Sequence, residues 1–204
     1  MKTRSVIKTI CRVAIFGSLA VILYCVPYLQ FSLPFAPSFL SIHLDEIPIF
    51  IASYAYGPLV GFLIIVIKTI VDLFVKDLAS NMGIGALADF IYGCSFVLPA
   101  AFIYKYHRNF KGVLVGMLVS FISQLFASCI IGLYTIFPLY GIVYTNEGVI
   151  SMFRVFDQSI NSVTDIKISY EFLLPFNSIK NGIVLATTLV VYKPIRILIE
   201  NAEK

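Results

Sequence analysis

The sequence predicts an all-α protein embedded in a membrane, with six transmembrane helices, and three observations support this. Hydrophobic residues make up 59% of the 204 residues against 13% charged, and the mean hydropathy is +0.93. The apolar residues gather into runs, several of which approach the roughly 20 residues that a helix needs to cross a bilayer. The basic residues cluster at one set of run ends. Residues 1–204 read as a single membrane-embedded domain, with no segment of ordinary soluble composition left over.

Taken in order, the first span is expected over about 12–29, behind Lys2, Arg4, Lys8 and Arg12. It is long enough to cross, and no small-residue cleavage site follows, so it reads as a retained helix and not a signal peptide. Residues 30–46 hold Pro34, Pro37 and the aromatic residues Phe31, Phe35 and Phe39, a pattern for a structured loop or half-helix. A short apolar run at 47–56 ends at Gly57-Pro58, a tight-turn pair, and a span at 59–75 follows. Residues 76–83 form a polar connection, 84–104 the next helix, 112–137 a long apolar helix, 138–170 an extended loop with short helices, and 171–192 the last span.

Six crossings put both termini on one side. That side collects Lys2, Arg4, Lys8, Arg12, Lys105, Arg108, Lys111, Lys193, Arg196 and Lys204, ten of the fifteen basic residues, against only Glu200 and Glu203 of the eleven acids. Cytoplasmic excess of Lys and Arg sets orientation, so both termini are expected in the cytoplasm. The same rule accounts for the net charge of +4, and no basic stripe with interleaved aromatics suggests a nucleic-acid partner. Cys11, Cys25, Cys94 and Cys129 form no C-x-x-C pair and read as small buried hydrophobes.

Charge inside apolar helices is the best pointer to a site, because a charged side chain at mid-membrane costs roughly 2.5–3.5 kcal/mol on insertion scales. Lys68, Asp72, Asp89 and Lys180 are so placed. Lys68 and Asp72, spaced i, i+4, share a helix face and form either a self-neutralising pair or a ligand-facing one. Residues 83–89 open a helix with small residues, and its free N–H groups could hold an anionic or carbonyl oxygen, unless the glycines are hinges and Asp89 a structural partner of the helix dipole. Asn177 and Lys180 share a face in the last helix and suit a heteroaromatic ring or polyol, or else bond between helices. His43, Asp45 and Glu46 supply one imidazole where a zinc site needs three or four convergent ligands, so no metal is expected. There is no P-loop, G-x-S-x-G or H-E-x-x-H pattern and no nucleophile–base pair, so the chain is not expected to be an enzyme. Small-residue stripes at Ala14-x-x-x-Ser18, beside Gly17 and Ala20, and at Gly112-x-x-x-Gly116-x-x-x-Ser120 pack the protein's own helices or dock another subunit.

An ordered set of short segments resembles the substrate-binding S components of energy-coupling factor (ECF) vitamin importers, most closely the riboflavin-specific branch. It runs through Phe31-Ser32-Leu33-Pro34-Phe35, Pro37-Ser38-Phe39-Leu40, Asp45-Glu46-Ile47-Pro48, Gly57-Pro58-Leu59-Val60-Gly61, Ile67-Lys68, residues 83–90, residues 96–101 and Leu174-Pro175-Phe176-Asn177 with Lys180 and Gly182. The resemblance implies a prokaryotic cell-membrane subunit that captures a vitamin, riboflavin first, from outside. Riboflavin would be cargo, with no cofactor. It also implies a transmembrane coupling subunit and two ABC-type ATPases as partners, the coupling subunit meeting Ala14 and Ser18. Lys68, Asp72, Asp89, Asn177 and Lys180 would be polar contacts, with Phe35, Phe39 and Leu40 as cover from the loop at 30–46. Ala86 and Asp89 stand where the riboflavin branch usually has Glu and Asn, and a His is common near Asp72, which leaves a different vitamin open. A stand-alone ion-coupled transporter is the alternative from another class, although no internal repeat supports it.

Overall fold

The computed structural model describes residues 2–34, 36–37 and 40–202, without the side chains of Lys2, Thr3, Ser5, Pro27, Ala79 and residues 193–202. Phe35 and Phe39, expected as ligand cover, lie outside the described residues.

Helix α1 (Lys2–Cys25) buries one stripe, Val13, Gly17, Ala20 and Tyr24, at the i, i+4, i+7, i+11 spacing of an amphipathic helix. Gly17 and Ala20 let it lie close to α2 (Glu46–Tyr56) and α3 (Pro58–Asp72). Val6, Ile7, Ile10, Ile15, Leu19 and Ile22 face outward, and so do Ala14 and Ser18. Cys11 is on that outward side too, so the expectation that every cysteine is buried fails there. The other three are partly buried, and all four thiols are free.

After α1, Phe31–Ser32 (β1) pairs antiparallel with Ser41–Ile42 (β2) as a short hairpin. The Gly57-Pro58 turn is as expected. Gly57 takes φ +98°, a value that L side chains rarely adopt, while Pro58 starts α3 where its missing N–H costs nothing. Residues 76–83, expected as a polar connection, stay largely helical as the end of a π turn (Leu73–Asp77) and α4 (Leu78–Asn81). Lys76 and Asp77 interrupt the hydropathy without breaking the helix.

Helices α5 (Ile84–Tyr106) and α6 (Phe110–Ile131) pack tightly together. A Cβ on Gly116 would stand 3.1 Å from Ala100 backbone atoms, and the Ala100 N–H, next to Pro99, donates to Ser120 Oγ at 2.9 Å. The stripe at 112–120 therefore serves internal packing. The apolar helix then runs on through a second π turn (Gly132–Ile136) into α7 (Phe137–Tyr144), and α8 (Asn146–Arg154) folds back against it. The stretch at 138–170 is thus not one extended loop. Leu133, Phe137, Val149, Ile150, Phe153 and Phe172 give it a core of its own. A third π turn (Ile168–Leu173) leads into α9 (Leu174–Ala202).

Among the described residues, five stretches are long and apolar enough to cross a membrane: Val6–Cys25, Pro58–Asp77, Ile84–Tyr106, Phe110–Tyr144 and Ile168–Tyr192. Helix α2, at 11 residues, is shorter than the roughly 20 a full crossing needs. It nonetheless runs the depth of the bundle. Asp45 and Glu46 stand at one end, and Tyr54 packs at the other against Tyr104 and Tyr192, near the far ends of α5 and the apolar part of α9. Its flanks are covered by protein, with Ile49, Phe50, Ile51, Ala52 and Tyr54 all buried.

Candidate functional site

At the end of the bundle that holds Asp45 and Glu46, the helices part around a cavity of about 500 Å³. Each of the three π turns supplies wall residues: Lys76 and Asp77 from the first, Ile136 from the second, Leu173 from the third. A π turn inserts an extra residue and re-aims the side chains after it, which is why such turns mark functional sites. Tyr92, Phe137, Tyr140 and Phe176 give the cavity aromatic walls, and the hairpin side brings Leu40, Ser41 and His43.

Of the sequence-predicted site residues, Leu40, Asp89, Asn177 and Lys180 line this cavity. Lys68 and Asp72 do not line it. Lys68 lies behind the wall, with Nζ 2.6 Å from Asp45 Oδ2 and 3.4 Å from Asp89 Oδ2. The self-neutralising Lys68–Asp72 pair is therefore incorrect. Asp72 instead accepts a hydrogen bond from the Tyr24 hydroxyl at 3.2 Å, and Lys68 Nζ sits 4.0 Å from the centre of the Tyr24 ring. An i, i+4 spacing fixes a shared face, but Asp45 offers Lys68 a buried oxygen at closer range.

Lys180 is likewise engaged, 2.5 Å from Glu46 Oε1. Two adjacent acids at the start of α2 thus clamp two lysines from α3 and α9. They also stand where the positive end of the α2 dipole favours negative charge. Asp45 and Glu46 have 1% and 5% of their surface exposed. The sequence pattern placed them at the end of the structured loop or half-helix over 30–46. The signal that could have found them was their position immediately before an apolar helix, in a chain with two otherwise unmatched membrane lysines.

Asn177 belongs to a buried amide chain. Gln124 Nε2 donates to Asn177 Oδ1 at 2.9 Å, Asn181 Nδ2 donates to Gln124 Oε1 at 2.6 Å, and Asn177 Nδ2 donates to Leu173 O at 2.8 Å. The Asn177 amide carries two N–H groups, so one remains for the cavity. Gln124 was missed, although a lone Gln in so long an apolar run was the available signal.

The start of α5, expected as a possible oxygen-binding site, is capped from within. Asp77 Oδ2 accepts the Ala86 N–H at 2.8 Å, and Asn81 Nδ2 donates to Asp77 Oδ1 at 2.5 Å. At the cavity rim the Tyr144 hydroxyl bridges α7 to α4, 2.6 Å from Ser80 O.

His43 stacks on Tyr24 with ring centres 4.7 Å apart, and its Nδ1 is buried without a hydrogen-bond partner. Burial pushes the imidazole down to about 4, so the ring is neutral near pH 7. Among the described residues, no group of three His, Cys, Asp or Glu side chains converges as a metal site.

Two curated relatives share most of this chain. The riboflavin transporter RibU of Staphylococcus aureus (strain TCH60) is 24% identical over 184 residues, covering 89% of this chain and 88% of the relative. The riboflavin transporter FmnP of Bacillus subtilis (strain 168) is 30% identical over 134 residues, covering 66% of this chain and 69% of the relative. A solved S component of a bacterial ECF transporter superposes with a TM-score of 0.70 at 22% identity, over 94% of this chain and 96% of that one, so the fold is shared. Residues 8–192 match the ECF transporter substrate-specific component, and the chain belongs to that family of membrane-embedded transporter subunits.

Proposed function

We propose that this protein captures riboflavin at the outer face of a prokaryotic cell membrane and hands it to an ECF import machine. The observation that carries this reading is the cavity itself. Its volume of about 500 Å³ falls within the usual range for small-molecule sites. Tyr92, Tyr140, Phe137 and Phe176 offer faces for a flat tricyclic ring, while Asn177, Lys180, Asp89 and His43 offer hydrogen bonds to a ring edge and a polyol chain. The two relatives named riboflavin transporters support the choice of vitamin.

In this reading the chain makes and breaks no covalent bond. A transmembrane coupling subunit and two ABC-type ATPases supply the work, and the coupling subunit docks on α1 at the outward-facing Ala14 and Ser18. Both termini lie in the cytoplasm, as the Lys/Arg asymmetry requires. Helix α2 then counts as the sixth crossing, its missing length made up by the hairpin loop before it.

The test is purification from cells grown in rich medium, followed by absorbance and mass analysis of what is bound. A yellow preparation with flavin bands is expected, and purified protein should quench added riboflavin fluorescence. Asn177→Ala is expected to weaken that binding at least about tenfold, by removing its spare N–H and loosening Gln124. A colourless protein that neither holds nor quenches riboflavin would remove riboflavin as the ligand.

A further inference from the structure

We propose that this cavity discriminates by charge, accepting the uncharged vitamin and rejecting forms that carry a phosphate, with Asp89 as the discriminating residue. The inference rests on the riboflavin reading above.

Proteins hold phosphates with lysine ammonium groups and with the free N–H groups of helix N-termini. Both devices stand at this cavity, and the buried lysines and the helix end are filled by the chain's own carboxylates. Lys180 in the wall is 2.5 Å from Glu46. Lys68 behind the wall is shared by Asp45 and Asp89. The N-terminus of α5 is capped by Asp77. Lys76 also lines the cavity, with an exposed side chain whose ammonium lies 5.0 Å from the centre of the Tyr24 ring.

The buried balance is also negative. Among the buried and partly buried groups at this end, Asp45, Glu46, Asp72, Asp77 and Asp89 stand against Lys68 and Lys180, five acids to two bases. Of these acids Asp77 and Asp89 line the cavity; the Asp77 oxygens are taken by Asn81 and the Ala86 N–H, while the Asp89 side chain keeps 27% of its surface. An ionised carboxylate only accepts hydrogen bonds, so a hydroxyl or ring N–H suits it. A phosphate offers no matching donor and brings about −1.5 to −2 charge into a low-dielectric space that is already negative. Discrimination of this kind comes from a repulsive group placed against the wrong ligand.

The experiment titrates purified protein with riboflavin and with riboflavin 5′-phosphate, following flavin fluorescence at pH 7.5. The phosphate ester is expected to bind at least about tenfold more weakly. Asp89→Asn removes the charge of the more exposed wall carboxylate, and Glu46→Gln releases Lys180. Each is expected to narrow the ratio at least about threefold, read as the ratio of the two affinities within one variant. Equal affinities in the unaltered protein overturn the proposal. A wild-type preference that both variants leave unchanged overturns the role of Asp89 and its cluster. Failure to bind riboflavin at all overturns the proposed function, and this inference with it.

Discussion

At one end of the helical bundle, Lys68 and Lys180 meet Asp45, Glu46 and Asp89 around a cavity. At the other end, Tyr54, Tyr104 and Tyr192 pack edge to face with ring centres 5.0–6.1 Å apart. Both ends bury polar atoms. The tyrosine end does so at little cost, because each ring is mostly apolar and the Tyr104 and Tyr192 hydroxyls satisfy each other at 2.7 Å. The charged end must match every ion, because one buried charge without a partner costs several kcal/mol. A structure that maintains so demanding a cluster next to an open volume has organised it around something that enters the volume.

Breaking the charged end should have the largest effect. Lys180→Ala removes the ionic partner of Glu46, a residue 5% exposed, and is expected to cost roughly 3–5 kcal/mol of stability, seen as a fall in Tm in detergent. Adding Glu46→Gln should restore most of the Tm without restoring ligand binding, which separates the structural from the binding role. Next in size is Gln124→Leu. It leaves Asn177 Oδ1 without its donor and Asn181 Nδ2 without its acceptor, at about 1–3 kcal/mol for each group left unpaired.

A pH series tests His43. Its imidazole lies at about 4 in the folded protein, below the ordinary value of 6.5, so the unfolded chain binds the proton more readily. The stability that follows is complete above pH 6.5 and is lost as pH falls toward 4, up to about 3 kcal/mol. His43→Gln should flatten that part of the Tm profile, and a profile identical to that of the unaltered protein would show that the ring is not shielded.

The smallest effects belong to the tyrosine end. Tyr104→Phe gives up the bond to Tyr192, worth about 1 kcal/mol. Tyr54→Phe should be neutral or slightly stabilising, because the Tyr54 hydroxyl is buried without a partner. A large loss from Tyr54→Phe would erase the contrast between the two ends.

Much of the architecture was legible from composition and run length. Three of the five long apolar spans among the described residues fall within three residues of their expected limits, and the glycine-proline turn is where its chemistry demands. The errors have a common cause. Residues 76–83 and 138–170 carry enough polar residues to look like loops, yet each is helical in part: Leu78–Asn81 continues the preceding π turn with Leu78 and Met82 exposed, while Phe137–Tyr144 and Asn146–Arg154 bury apolar side chains in a second core. The three π turns left no trace in hydropathy, since a π turn changes backbone register and not composition. At the site, Asp89, Asn177 and Lys180 were found because charge and amide groups are conspicuous in apolar helices. Tyr24, Tyr92 and Tyr140 were missed because aromatic residues are not conspicuous there.

Composition and charge distribution alone determined that this chain lives in a bilayer and that Lys68, Asp89 and Lys180 needed partners there. The tertiary structure alone decided the partners: Asp45 for Lys68 in place of Asp72, Glu46 for Lys180, and the capping of α5 by Asp77. The reason is physical. A membrane sets the cost of burying a charge wherever it falls in the sequence. The group that offsets this cost is selected by distances of a few ångströms between helices, which depend on how the small residues at Ala20, Gly61 and Gly116 let those helices approach.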